Sequence, residues 1–297
     1  MASRPSSVKM ARSVRIVRTV EDLRRAVASW RKAGDTVALV PTMGALHDGH
    51  LTLVRAAEAK AKRVVVSIFV NPTQFAPTED LARYPRDEAG DLAKLAGVAT
   101  DLVWSPEPAE MYAPGFATSI VPQGAALGLE GEFRPHHFGG VATVCCKLFG
   151  QVTPDFALFG EKDFQQLAVI RQMVRDLDLP LSIVGVPTVR EADGLALSSR
   201  NRYLSAEQRA VAPALNAALR SVAERIANGG RVAAAVKSAV AAVERAGFTK
   251  VDYIAVRDAE TLADWKPSSG RPGRILAAVW LDKTRLIDNI AVLPTKV

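Results

Sequence analysis

The sequence predicts an α/β fold: a Rossmann-like parallel sheet followed by a smaller α+β part. Three observations carry this. Arg63-Val-Val-Val-Ser-Ile-Phe-Val70 is a continuous apolar, β-branched run, the pattern of a parallel strand covered on both faces. Asp35–Val40, a run of strand length, feeds the glycine-containing turn Pro41–His50, and the turn feeds Leu51–Ala61, where apolar residues recur at helical spacing. After residue 189 the composition shifts to alanine-rich helices and then to strand-like runs.

In chain order, Val14–Val17 reads as a first strand, and Thr19 with Asp22 three residues on caps a helix Val20–Ala33 that stops at Gly34. The strand Arg63–Val70 ends in a polar loop, Asn71-Pro-Thr-Gln-Phe75. Glu79–Pro85 and Glu88–Leu95 read as helices and Leu102–Trp104 as a short strand. Residues 105–140 are rich in Pro and Gly and show no period, which is long for a structureless loop and points to a function or to elements without a periodic signal. A helix Val141–Phe149 and a buried strand Asp155–Phe159 follow. The strand runs into Gly160–Gln166, then a helix to about Asp176 and a strand Leu181–Val189. Alternating strands and helices with short joints imply a right-handed parallel sheet covered on both faces. The boundary is expected at 189, giving a main domain of residues 13–188 and a smaller domain of residues 189–297. In the latter, Ser205-Ala-Glu-Gln208 opens a helix to about Ala227, Val232–Ala246 is a second helix, and Lys250–Val256, Arg274–Leu281 and Arg285–Val292 read as antiparallel strands.

The 297 residues are 48% hydrophobic and 23% charged, as in a globular protein with an ample core, and no apolar run has the length of a membrane span. The net charge is +7, but five of those charges lie in the acid-free stretch of residues 1–18. The remaining +2 is too little to track a nucleic-acid backbone, so no nucleic-acid partner is expected. Residues 1–12 read as a disordered extension, not a transit peptide. The two adjacent cysteines, Cys145 and Cys146, sit in an apolar segment and read as buried thiols, which with the absence of a secretory signal gives a cytoplasmic expectation.

The polar loops at 41–50, 71–75 and 160–166 each follow a strand, and in open α/β sheets ligands bind at those ends. The turn Pro41–His50 precedes a helix whose first amides lack intrahelical partners and carry partial positive charge, so it is suited to phosphate. His47 and His50, three apart, share a face of the first helical turn. Two histidines at that spacing also suit a metal, but the other two, His136 and His137, offer no supporting motif. H-x-G-H after a strand resembles the nucleotide-binding signature of adenylyl-transferring enzymes.

Five blocks in register carry a more specific resemblance: Pro41–His50, Phe69–Phe75, Arg134–Phe138, Phe159–Asp163 with Gln166, and Val189–Asn201. Together they resemble the pantothenate synthetase (pantoate–β-alanine ligase) family from about residue 14 to the end, most closely up to residue 203. The resemblance implies a Rossmann-like sheet of the nucleotidyltransferase (H-x-G-H) type. It also implies a cytoplasmic homodimer that condenses pantoate with β-alanine at the expense of ATP, with Mg²⁺. ATP contacts are then expected at Met43, Gly44, His47, His50, Gly160, Lys162, Asp163, Val189, Leu197, Ser198, Ser199 and Arg200, with His50 as proton donor. Gln74 and Gln166 match the pantoate-binding glutamines, Gln74 lies near β-alanine as well, and Asn71 joins them in the 71–75 loop. The family usually has Met at Leu197 and Gly at His136.

The residue chemistry suits such a reaction. His47, His50, Lys162, Arg200 and the hydroxyls of Ser198 and Ser199 form a set able to clamp phosphates, where positioning and charge neutralisation dominate. Neutral glutamines hold a carboxylate without blunting it as a nucleophile. Protein ligands for Mg²⁺ are not evident, with Asp91 an unsupported candidate, so phosphates and water are expected to hold it. Two rivals stay open: another H-x-G-H adenylyltransferase acting on a small acid or nucleotide, which releases pyrophosphate but no AMP, and a nucleotide-binding module without catalysis.

Overall fold

The computed structural model describes residues 14–77 and 79–294. The extension expected at residues 1–12 lies outside them. The elements of the first part are β1 (Arg15–Val17), α1 (Val20–Lys32), β2 (Val37–Thr42), α2 (Asp48–Glu58), β3 (Arg63–Ile68), α3 (Glu88–Leu95), β4 (Leu102–Trp104), α4 (Pro108–Met111), α5 (Glu130–Phe133), α6 (His137–Val152), β5 (Phe156–Gly160), α7 (Phe164–Asp176) and β6 (Ser182–Val186). The six strands form one parallel sheet in the order β1-β4-β3-β2-β5-β6. Both faces are covered, as the β-branched runs require. Val65 and Leu39 pack into one core with α1, α6 and α7, while Val64, Val66, Ala38 and Val40 pack into the other with α2. From β2 the chain moves outward through β3 to β4 and then returns to the far side of β2 as β5. The order thus reverses beside β2, which opens a crevice at the carboxyl ends of β2 and β5.

The second part holds α8 (Ala206–Val211), α9 (Ala214–Ala227), α10 (Val232–Ala246) and an antiparallel sheet of β7 (Lys250–Asp258), β8 (Gly273–Leu281) and β9 (Thr284–Val292). The two helices α9 and α10 share a separate core with this sheet, built around Leu219, Ile226, Val243, Ile275 and Val279. A smaller cluster joins helices α6 and α7 to the second part, bringing Phe138, Phe164 and Val169 against Leu262 and Leu276.

Four expectations change. The helix expected from Ser205 to Ala227 is two helices: Ser205 caps the first with the predicted capping box, and Pro213, which lacks an N–H, separates them. Glu79–Pro85 is not a full helix but a single 3₁₀ turn, Asp80–Arg83. Helix α6 begins at His137, not Val141. Gly139 and Gly140 lie inside it, and without a Cβ at Gly140 its backbone packs directly on Thr73 and Gln74. Residues 105–140 contain α4, α5 and a 3₁₀ turn at Gly124–Ala126. Side chains of α6 and α7 satisfy this segment: Gln165 accepts from Glu130 N–H and donates to the carbonyls of Ala125 and Gly128, Gln172 accepts from Ala125 N–H, and Thr143 accepts from Ile120 N–H. Order imposed from outside the segment leaves no period within it.

Candidate active site

The turn after β2 is set by two unusual backbone positions, Gly44 and Ala45, both at positive φ. Asp91 on α3 templates it. Its two carboxylate oxygens accept from Ala45 N–H at 2.8 Å and Leu46 N–H at 2.7 Å, and it is 1% exposed. Next, His47 caps α2: its Nδ1 accepts from Gly49 N–H at 3.2 Å, and His50 Nδ1 accepts from His47 N–H at 3.3 Å. Gly49 is required because a Cβ there would meet the His47 ring at 2.8 Å. With both Nδ1 atoms accepting, each ring carries its proton on Nε2. Burial lowers the His47 pKa to about 4, with Lys162 and Arg202 adding to it, and burial with His47 and Lys162 nearby lowers that of His50 to about 3. The rings lie 4.1 Å apart and are a pair of neutral N–H donors at neutral pH.

The end of β3 supplies Asn71 and Gln74. Asn71 is 1% exposed, and Gln74 donates its Nε2 to the Met43 sulfur at 3.2 Å. His137 contributes from α6: its Nδ1–H donates to the Gln74 carbonyl at 3.1 Å, and burial lowers its pKa to about 4. The end of β5 supplies Gly160 and Lys162. Asn289 of β9 fixes that turn by donating to the carbonyls of Glu161 and Lys162 at 2.9 and 2.8 Å. Gln165 and Gln166 are adjacent on α7 but differ in role. Both line the larger of two cavities, but Gln165 is spent on the 124–130 segment, whereas Gln166 also lines the smaller cavity beside His47 and His50.

The fourth contribution comes from Ser198–Arg200, where Ser198 caps the 3₁₀ turn Ser199–Tyr203. The Arg200 guanidinium is bidentate to Asp80, Nε to Oδ2 at 3.1 Å and Nη2 to Oδ1 at 3.0 Å, and it lies 5.8 Å from the Tyr84 ring centre. The Ser199 hydroxyl lies 3.2 Å from that of Tyr84. Two adjoining cavities of about 220 and 390 Å³ share Met43, Gln74, Lys162, Gln166, Ser198 and Arg200, and the smaller is also lined by His47 and His50. Three strand-end loops and the Ser-Ser-Arg segment thus converge on one concave site that gathers N–H donors, positive charge and the amides of Gln74 and Gln166.

A profile of the family described as pantoate-beta-alanine ligase matches residues 15–291. The chain belongs to this family. It is similar to the pantothenate synthetase of Caulobacter vibrioides, 56% identical over 279 residues, covering 93% of this chain and 98% of that one. It is also similar to the pantothenate synthetase of a Bradyrhizobium strain, 57% identical over 284 residues, covering 95% and 100%. Among solved structures, the Thermus thermophilus pantothenate synthetase superposes with a TM-score of 0.87 at 48% identity, covering 95% of this chain and all of that one. A Francisella tularensis pantoate-beta-alanine ligase, described as complexed with beta-gamma ATP and beta-alanine, does so with a TM-score of 0.78 at 32% identity, covering 93% and 97%. The fold is therefore the nucleotidyltransferase-like sheet of the pantoate–β-alanine ligases, with their small antiparallel sheet.

The residues singled out from the ligase motifs line the cavities with one exception. Gly44 lines neither, and its contribution is to the shape of the turn. Arg200 is present but paired with Asp80. Asn71 lines the smaller cavity, but its amide is already bonded to Gln74, Thr73, Tyr112 and the Gly140 carbonyl. Asp91 is no metal ligand here: both oxygens are committed to amides and Lys94 Nζ stands 3.9 Å away. Among the described residues no group of three His, Cys, Asp or Glu is placed to hold a metal ion. Sequence reasoning missed Asp80, Tyr84 and Asn289, and the templating role of Asp91. Each lies outside the five motif blocks and acts through long-range pairing. Cys145 lines the smaller cavity, and burial pushes its thiol up to about 12, which leaves it inert. No described helix is long and apolar enough to cross a membrane.

Proposed function

We propose that this chain condenses pantoate with β-alanine at the expense of ATP, through a pantoyl adenylate. One observation carries the reading: a single concave site joins the neutral His47–His50 donor pair and Lys162 to the amides of Gln74 and Gln166. The triphosphate lies across the α2 N-terminus, between the histidine Nε2–H groups, Lys162 and the Ser198–Arg200 segment, with Gly160, Asp163, Val189 and Leu197 around the nucleotide. A pantoate carboxylate oxygen attacks the α-phosphorus, the bond to the β-phosphate oxygen breaks, and pyrophosphate leaves. The donors stabilise charge on the transferring and leaving oxygens in a site partly closed to water. The uncharged amine of β-alanine then attacks the adenylate carbonyl. The carbon–oxygen bond to the phosphate breaks, AMP leaves with that oxygen, and the amine loses a proton to solvent. His50, neutral in the free protein, serves as hydrogen-bond donor to the phosphate. The residues present offer no cage for a cation, so Mg²⁺ would enter on the phosphates of ATP and neutralise the leaving pyrophosphate.

The same reading treats residues 189–297 as a lid domain that closes on the nucleotide, and the enzyme as a cytoplasmic homodimer. Sedimentation at twice the 31.8 kDa chain mass tests the dimer. For the reaction, the enzyme is incubated with ATP, Mg²⁺ and pantoate, and β-alanine is added afterwards. Pyrophosphate in the first stage and β-alanine-dependent AMP in the second are expected. Pyrophosphate without AMP in the second stage favours a different adenylyltransferase, and neither product contradicts catalysis altogether.

A further inference from the structure

The orientation of an amide side chain is normally a matter of assignment, since its O and N look alike. Around Asn71 two backbone groups decide it. The Gly140 carbonyl can only accept, so the Asn71 atom 3.2 Å from it is the NH₂. Thr73 N–H can only donate, so the atom facing it is the oxygen, which also accepts from the Thr73 hydroxyl at 3.0 Å. The same Asn71 NH₂ reaches Gln74 at 3.0 Å, where only an oxygen can receive it. Gln74 must therefore turn its own NH₂ toward the cavity. That NH₂ rests on the Met43 sulfur at 3.2 Å, a weak acceptor that a carboxylate or hydroxyl oxygen readily replaces.

The shortest hydrogen bond of this Asn71–Gln74 relay comes from outside the site. Tyr112 O–H donates to Asn71 Oδ1 at 2.8 Å, and Tyr112 lines neither cavity. Its ring is wedged between Phe69 and Phe116, with centroids 6.2 and 5.1 Å away, and Lys147 Nζ lies 5.9 Å from its centre. The hydroxyl is thus held in place independently of any ligand. We infer that Tyr112 is a positioning residue for recognition of the acid substrate: together with Gly140 and Thr73 it holds the Asn71 amide in place, and through Asn71 it helps to fix which end of the Gln74 amide faces the cavity. The inference rests on the reading of Gln74 as the pantoate-facing residue and adds the polarity of that contact. The site presents a donor, so it selects an oxygen acceptor and disfavours a substrate that offers an N–H there.

The test is a double-mutant cycle between Tyr112→Phe and Gln74→Ala, read in steady-state kinetics. Tyr112→Phe keeps the ring and its packing and removes only the hydroxyl. Losing the bond to Asn71, and with it the 3.3 Å contact to the Thr73 hydroxyl, is expected to raise the KM for pantoate about fivefold, with kcat and the KM for ATP within about twofold. In the Gln74→Ala background the same change is expected to add nothing, because no amide is left to orient. A purely structural Tyr112 would act equally in both backgrounds, and an equal effect or an unchanged pantoate KM would overturn the inference. In unaltered protein, the Gln74 side-chain NH₂ resonances are expected to shift when pantoate is added, and unmoved resonances would overturn it as well. Pantoate-dependent pyrophosphate release by the unaltered enzyme, measured alongside, separates failure of this inference from failure of the proposed function.

Discussion

The two segments that flank the proposed phosphate position are held in opposite ways. The His47–His50 turn is organised from inside the parallel-sheet part. A carboxylate buried to 1% exposure bonds two of its amides, and each histidine accepts from a neighbouring backbone N–H. Ser198–Arg200 is instead tied across the cavity by the Arg200–Asp80 ion pair, with side chains 30% and 15% exposed, and by the Ser199–Tyr84 hydroxyl contact. A turn whose amides at Ala45, Leu46, His47 and Gly49 are bonded within the protein is preorganised and needs no rearrangement to donate. An ion pair that solvent still reaches is held less firmly than groups bonded in the interior. In the proposed reaction, therefore, one half of the clamp is ready before ATP arrives, and Arg200 joins it only by leaving Asp80 for a more highly charged partner.

The largest effect is expected where the clamp has a fixed charge. Lys162→Ala should lower kcat by roughly two to three orders of magnitude, by analogy with other lost transition-state donors. Near-normal turnover in stopped-flow assays would remove Lys162 from the clamp. Next comes the template of the preorganised half. Asp91→Asn places an NH₂ against a buried backbone N–H and should cost about 2 kcal/mol of stability in urea titrations. It should also raise the KM for ATP about tenfold while sparing pantoate, because the histidines lose their register. An unchanged KM for ATP would mean that the turn keeps its shape without Asp91.

The histidines also predict a pH dependence. His47, His50 and His137 have folded pKa values of about 4, 3 and 4 against an ordinary 6.5, with burial the main cause in each. Because the folded pKa values are depressed, the unfolded chain binds protons between about pH 6.5 and 4 that the folded chain refuses. Their contribution is complete above about pH 6.5, falls as the pH drops toward 4, and flattens below the folded values. The urea midpoint should therefore be lower at pH 5 than at pH 7, and an equal midpoint would contradict the neutral, buried state. The smallest effect sharpens the contrast between the two halves. Asp80→Asn removes the competing carboxylate and should tighten ATP binding a few-fold by calorimetry, an effect absent from Asp80→Asn/Arg200→Ala. Weaker ATP binding in the single variant would make Asp80 an orienting partner of Arg200 instead of its competitor.

Much of this was legible in the sequence, for physical reasons that particular residues make plain. The covered strands showed as uninterrupted runs such as Arg63–Val70 because both faces of β3 are buried, and the H-x-G-H turn showed because glycine and histidine are placed there by local geometry. The antiparallel strands β7 to β9 were close to their expected ranges. What was hidden depends on partners far along the chain. Asp91 and Asn289 read as ordinary polar residues on an amphipathic helix and in a strand, yet they reach 46 and 127 positions away to fix the two turns proposed to face the phosphates. Motif register singled out Gln166 by resemblance, but nothing in the residues themselves separates it from Gln165, because only the packing of residues 124–130 gives Gln165 its structural partners. Nor could sequence show that Arg200 is already paired, since Asp80 lies 120 residues earlier in a short turn without a periodic signal.

The central claim, that the acid is activated by direct attack on the α-phosphorus of ATP, has one decisive measurement. Pantoate carrying isotopically heavy oxygen in its carboxylate is turned over with ATP and β-alanine, and the products are resolved by mass spectrometry. One heavy oxygen is expected in AMP and none in pyrophosphate. Heavy oxygen in pyrophosphate or free phosphate, or unlabelled AMP, would contradict it.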